Sequence, residues 1–379
     1  MISLEVLHTL SGIPATEWNS LTCPNFPFAD YEHLHALETT GCAGPEMGWL
    51  PVYLLVRDST GLLCAATFCY VKSHGYGEFV FDHAWNQAYA RAGKEYYPKL
   101  VVAVPYTPAT GPKVLVHPSS DRTAMETLLA QELKSIAQRI GCSSVHALFL
   151  PKEHLASYQQ KNFLLRHGYQ YHWFNREYHS FEDFLSELKP KRRRQIQLER
   201  RQLRATPGLT LETRTGSQLN EADADLMARL YLDTNEKWGS IPCLNKEFFR
   251  TIIKAMPDRI VLFVANLEGE RVAAAINFKK GNKMFGRYWG CLRDVRFLHF
   301  ELCYYQAIEY CITQKLKVYE AGAQGEHKIP RGFIPQLTYS MHFLADEEFM
   351  SPVSRFLEQE KALIEQQFRE WQPHLPYLC

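Results

Sequence analysis

The sequence predicts an α/β protein built from two domains of the same kind. Three observations carry that expectation. At 379 residues the chain is long for one core, so two domains of roughly 150 to 190 residues are expected. Its 46% hydrophobic and 22% charged residues suit a globular chain and not a disordered one. One order of strand-like and helix-like segments also runs through the chain twice.

In the first round a strand near residues 2–10 leads to helical segments around Trp18 and over 31–39, the latter with Leu34 and Leu37 on one face. Apolar strands at 51–57 and 62–72 follow, joined by Asp58-Ser-Thr-Gly61, whose residues suit a hairpin turn. Strands at 78–82 and 99–106 flank an irregular aromatic stretch. A helix over 122–140 stops at Gly141, a residue that tolerates the left-handed conformation ending many helices. A strand at 145–150, a helix at 152–167 and a strand at 169–173 close the round.

The second round starts after a basic segment near residue 190. A strand at 209–214 precedes helices at 221–237 and 246–256, the second capped by Asn245. Strands at 259–267 and 271–280 pair about Glu268-Gly-Glu, and a third runs over 283–291. A helix at 297–315 aligns Phe297, Phe300, Tyr304, Ile308 and Cys311 on one stripe. Strands at 316–320 and 338–344 follow, then a helix from about 352 to 371. The expected divisions are 1–185, 186–350 and a C-terminal helix in 351–379.

Composition narrows the function classes. A net charge of +1 and a pI near 7.6 give no global field for a polyanion, so no DNA-binding role is expected and any basic patch is local. The ten cysteines are scattered, form no Cys-x-x-Cys pair and often sit in apolar runs such as Leu63-Cys-Ala-Ala-Thr-Phe-Cys69. Reduced, buried thiols in a cytoplasmic protein account for them. No apolar run approaches the roughly 18 residues of a membrane span, and the first residues lack the regions of a signal peptide. No Gly-x-Ser-x-Gly elbow, Walker loop or His-Glu-x-x-His run occurs, and no metal site is expected.

The densest chemistry lies in Glu320-Ala-Gly-Ala-Gln-Gly-Glu-His-Lys-Ile-Pro-Arg-Gly-Phe333. Three glycines allow close backbone approach, and two glutamates, a histidine, a lysine and an arginine offer a base, an anion clamp and proton donors. The alternative is a structural turn in which the charges merely pair.

The doubled element order resembles the acetyltransferase fold of the GNAT superfamily, used in tandem by Fem-type peptidyl transferases. Several segments resemble the FemAB-like family of predicted N-acyltransferases more closely. They are Gly48-Trp-Leu-Pro51, Tyr76-Gly-Glu-Phe-Val-Phe-Asp-His-Ala-Trp85, Tyr96-Tyr-Pro-Lys99, Pro105-Tyr-Thr-Pro108, Arg287-Tyr-Trp-Gly290 and the 320–333 loop. The likeness spans about residues 20 to 345. It implies transfer of an acyl or aminoacyl group to a primary amine, with acyl-CoA or aminoacyl-tRNA as co-substrate and no tightly bound cofactor. A cell-wall precursor is the implied acceptor.

In such a fold the donor lies where two strands splay, here 283–291 and 316–320. Glu320, Glu326 and His327 are then the candidate bases, and Tyr288 or a backbone N–H would serve the oxyanion. Arg287, Trp289, Gln324, Lys328 and Arg331 are expected to hold substrate there. Asp82, Trp85, Lys99 and Tyr106 are expected to do so in an aromatic wall of the first domain. The phosphate-binding Gly-x-Gly of GNAT enzymes is missing after residue 291, leaving Arg293 and Arg296 as side-chain substitutes. The basic stretch 189–204, with Lys191, Arg192, Arg193 and Arg194, suits a diphosphate or an RNA backbone such as tRNA. A rival reading is a degenerate pair of such domains that binds a phosphorylated or cell-wall ligand without turnover.

Overall fold

The computed structural model describes residues 2–21, 23–323 and 325–378. Two compact units form, Met1–Gly168 with Leu337–Gln367, and Tyr169–Gln336 with Phe368–Cys379. The strands in chain order are β1 Ser3–Leu7, β2 Trp49–Arg57, β3 Leu63–Lys72, β4 Lys99–Val102, β5 Val114–Val116, β6 Ser144–Leu150, β7 Leu164–Phe174, β8 Leu209–Thr215, β9 Ile260–Leu267, β10 Glu270–Lys280, β11 Lys283–Cys291, β12 Val318–Glu320 and β13 Ile334–Leu344.

The two units repeat one topology. In the first, β1, β2, β3 and β4 pair antiparallel in order, β6 lies parallel to β4, and β13 pairs antiparallel with β6. In the second, β8, β9, β10 and β11 pair antiparallel, β12 lies parallel to β11, and β7 pairs antiparallel with β12. The last strand of each unit therefore comes from the segment that follows the other unit's parallel strand. This exchange explains why the units divide inside β7 and β13 and not at 185/186 and 350/351. Helix Glu347–Trp371 likewise begins in the first unit and ends in the second.

Local chemistry sets the elements. Asp121 accepts from the Ala124 amide to cap helix Arg122–Arg139, and Asn245 accepts from Phe248 to cap Lys246–Ala255. Such caps contribute about 1 kcal/mol each. The 78–82 segment is not a strand, because Gly77 and Phe79 both take positive φ and turn the Glu78 and Asp82 side chains inward. Helix His83–Arg91 occupies the expected irregular aromatic stretch. The expected helix at 152–167 is only Lys152–His154 and Leu155–Gln159, after which the chain enters β7. β5 and helix Phe181–Ser186 were not foreseen.

The first unit packs Val52, Leu54, Leu100, Leu129, Leu133 and Met341 at its centre. The second packs Trp173, Phe184, Phe263, Leu302, Tyr319 and Phe333. Among the described residues nine cysteines are free thiols, and no helix is long and apolar enough to cross a membrane.

Candidate functional site

The second unit opens where β11 leaves β12. Their parallel register covers only Lys283 with Val318, Met284 with Tyr319 and Phe285 with Glu320. Just beyond, β11 carries a bulge against β10: Ile276 faces Tyr288 while Asn277 faces Gly286, so Arg287 is the extra residue. A bulge sharpens local twist and ends regular pairing. The strands part there, and a cavity of about 300 Å³ fills the gap. Arg287 and Trp289 of β11, His299 and Tyr304 of the following helix, and His327 and Lys328 of the 320–333 loop line it.

Two glycines shape this cavity. A Cβ on Gly286 would fall 2.5 Å from the Tyr319 hydroxyl, a buried group that donates to Cys303 O at 2.7 Å and lies 3.1 Å from Asn277 Oδ1. Gly286→Ala is expected to lower stability by about 1 to 3 kcal/mol through overpacking. The check is a reduced urea midpoint, and an unchanged midpoint would show that Tyr319 can move aside. Gly325, at φ +112, lies where a Cβ would come within 2.4 Å of the His327 ring.

The helix lining the cavity is irregular. Leu298–Phe300 is α-helical, Glu301–Tyr305 forms a π turn, and Gln306–Thr313 resumes the α-helix. The π turn changes the angular spacing of Tyr304 and Tyr305 from that of an ideal helix. Tyr304 meets the cavity, with its hydroxyl 2.8 Å from His327 Nε2. Tyr305 instead donates to Glu199 and receives a bond from Arg331 Nε at 3.0 Å.

Burial governs the ionisation of the lining groups. It lowers the His327 pKa, with Lys328 and Arg331 adding to the effect. His299 is pushed down to about 4 by burial and the positive groups beside it. Both imidazoles are therefore neutral near pH 7. Lys328 is 3% exposed, and burial brings its ammonium down to about 8.

The other loop residues separate by face and partner. Glu320 does not line the cavity, whereas its neighbours Tyr319 and Ala321 do, as strand alternation requires. Its carboxylate lies 3.6 Å from Lys283 Nζ and 3.8 Å from His172 Nε2. Glu326 is exposed. Arg331 is a brace: its Nη2 donates to Glu199 at 2.9 Å, its Nη1 to His327 O at 2.7 Å, and its guanidinium sits over the Phe300 ring. Tyr288 lines the cavity and packs edge-on against Tyr231. Gln324 and Cys379 lie outside the described residues.

The remaining candidates are held elsewhere. Asp82 and Lys99 form a buried ion cluster with Glu78 in the first unit. Trp85 packs on His146 and His342, and buried Tyr106 donates to Cys42 O at 2.8 Å. Arg293 pairs with Glu268 and Glu270, and Arg296 lies over Phe297. On helix Pro190–Arg204, Lys191 and Arg194 are exposed, Arg192 donates to Gln195, and Arg193 donates to the Ser186 and Leu188 carbonyls. The same helix turns Glu199 and Arg200 inward, the latter onto Glu301. His299 and Lys328's partner carbonyl were not foreseen as parts of one site. His299 stands beside the apolar stripe that made its helix read as core.

The FemAB-like family model, described as peptidoglycan biosynthesis/recognition, matches residues 9–379. No curated protein matches the sequence. The crystal structure of FemX superposes with a TM-score of 0.55 at 12% identity, covering 92% of this chain and 100% of that one. A conserved protein of unknown function from Bacteroides thetaiotaomicron gives 0.54 at 10% identity, covering 91% and 100%. A tandem GNAT protein from the clavulanic acid biosynthesis pathway gives 0.48 at 12%, covering 91% and 99%. The fold is that of two tandem GNAT-like domains, as the element order implied.

Proposed function

The chain belongs to the FemAB-like family, and we propose that it is an N-acyltransferase whose reaction takes place in the cavity between β11 and β12. An acyl or aminoacyl group would pass from acyl-CoA or aminoacyl-tRNA to a primary amine, in the cytoplasm and in cell-wall precursor metabolism. The supporting observation is the neutral His327 imidazole in hydrogen-bond contact with the Tyr304 hydroxyl on the cavity wall.

Direct transfer needs the attacking amine to lose a proton as its nitrogen bonds to the acyl carbon and the thiol or ribose oxygen departs. Tyr304 keeps its own proton, because burial raises its pKa. Its hydroxyl can accept the amine proton while passing its own to His327 Nε2. The proton then rests on imidazole and is available to the leaving group. Glu320, on the other strand face beside His172 and Lys283, holds the strand end in this reading. Arg293, occupied by Glu268 and Glu270, gives the cavity no phosphate partner.

The test supplies acetyl-CoA, longer acyl-CoAs and charged tRNA separately with amine acceptors, reading free thiol or deacylated tRNA. His327→Gln is expected to lower kcat by about 100-fold or more with an unchanged unfolding midpoint. Wild-type kcat should fall on the acid side as His327 becomes protonated, at a pH below the ordinary imidazole value of 6.5. Turnover with no donor, or a His327→Gln enzyme as active as wild type, rejects the respective part of the proposal.

A further inference from the structure

We infer that the cavity between β11 and β12 is an anion-binding site in which the Lys328 ammonium holds a carboxylate or phosphate group of the ligand. This deepens the transferase reading and rests on it only for the cavity's use as the substrate site.

The lining contains Arg287, His299, His327 and Lys328, and no aspartate or glutamate among the described residues. Lys328 is buried, and among the described residues its Nζ has one hydrogen-bond partner, the Gly322 carbonyl at 3.0 Å. An ammonium carries three donors. A buried cation that no carboxylate among the described residues answers destabilises the fold, so the loop keeps it there at the expense of stability. Glu320, the nearest acid in sequence, is turned to the other face, where Lys283 and His172 take it. Glu326 is exposed. A ligand anion in the cavity would fill the remaining donors of Lys328 and neutralise its charge.

Gly322 and Gly325 hold this geometry. Both take positive φ, at +85 and +112, so the chain between β12 and the turn Glu326–Arg331 brings the Gly322 carbonyl over Nζ. The neighbouring imidazoles are neutral and add donors without adding charge.

Anion binding of this kind depends on the protonated amine. With the Lys328 pKa near 8, its protonated fraction drops about tenfold from pH 7 to pH 9. Sulfate and acetate keep their charge over that range and stand for the phosphate and carboxylate arms.

The experiment titrates the full chain calorimetrically with sulfate and with acetate, at pH 7 and pH 9 and at constant ionic strength set with NaCl. One of the two is expected to bind in the millimolar range at pH 7 and about tenfold more weakly at pH 9. The one that binds identifies the ligand group as phosphate-like or carboxylate. Lys328→Met should abolish the pH dependence and weaken binding at pH 7 by tenfold or more, while melting at a temperature no lower than wild type. Absence of binding by either anion, pH-independent binding to wild type, or equal binding to Lys328→Met overturns the inference. The wild-type pH dependence decides the matter even where the variant does not fold. Turnover is not read, so a failed transfer assay leaves this site standing, and failure here leaves the His327 relay standing.

Discussion

Lys99→Met is expected to lower the folding stability of the first unit by about 3 to 5 kcal/mol. The Lys99 side chain is 0% exposed and its ammonium bonds to Glu78 Oε2 at 2.8 Å and to Asp82. Tyr96 donates to Asp82 as well, and its hydroxyl lies 3.2 Å from His146 Nε2. Methionine matches the volume of the lysine stem but leaves two carboxyl groups buried and facing each other. At least one must then bind a proton or draw in water. An exposed cluster is the contrast: Lys94 bonds to Asp346 and Glu348 at the surface, where water screens the charges and losing the pair costs little. The check is urea unfolding at pH 7.5. Lys99→Met combined with Glu78→Gln and Asp82→Asn should recover a large part of the loss, because the cost arises from uncompensated charge and not from lost volume. A single-variant loss below about 1 kcal/mol would mean that water already reaches the cluster.

This cluster also shows where sequence reasoning stops. Asp82, Lys99 and Tyr106 stood out as charged and polar groups among aromatics, a description that fits a substrate wall and a polar core equally well. The positive φ values of Gly77 and Phe79 turn Glu78 and Asp82 towards Lys99, and no residue pattern displays that turn. Most strands and the long helices were legible, because periods of two and of 3.6 and their caps are local properties. The exchange of β7 and β13 was not, since it pairs Val318 with Phe174 and Leu344 with Ser144, residues far apart in the chain. For the second unit, the density of ionisable groups in 320–333 marked the right loop, but alternation along β12 decides which of them meet the cavity. Tyr319 and Ala321 face it and Glu320 does not. His299 became visible only once the helix around the π turn was packed against β11.

Acidification from pH 6.5 to pH 5 is expected to remove about 1.5 kcal/mol of stability or more. His146 and His342 are fully buried with their Nδ1 atoms 2.6 Å apart, Ser144 and Ser340 taking the Nε2 atoms. Burial lowers both pKa values well below 6.5. Arg166 and Lys99 add to this for both rings and His146 for His342, while Asp82 pulls His342 the other way. As the pH falls below 6.5 the unfolded chain therefore takes up protons on both imidazoles, each half protonated at pH 6.5, that the folded chain refuses, so this contribution is intact well above pH 6.5 and is lost as the pH falls. Glu78 has the opposite sign. Burial pushes its pKa up from 4.5 to about 7 against the pull of Lys99, so between those values the folded state holds a proton that the unfolded state releases. Near pH 5.5 two protons taken up against one released leave a net uptake of about one, or about 1.4 kcal/mol per pH unit, and the slope is shallower at pH 6.5 where the unfolded imidazoles are half protonated. The figure is a lower bound, because burial also depresses His172 and His299 and so acts in the same direction. Urea midpoints at half-unit steps of pH give the slope directly. Glu78→Gln removes the opposing proton and should about double the slope from this cluster. A slope near zero in wild type would mean that the buried imidazoles take up no more protons on unfolding than Glu78 releases, and would reject their being held neutral in the folded protein.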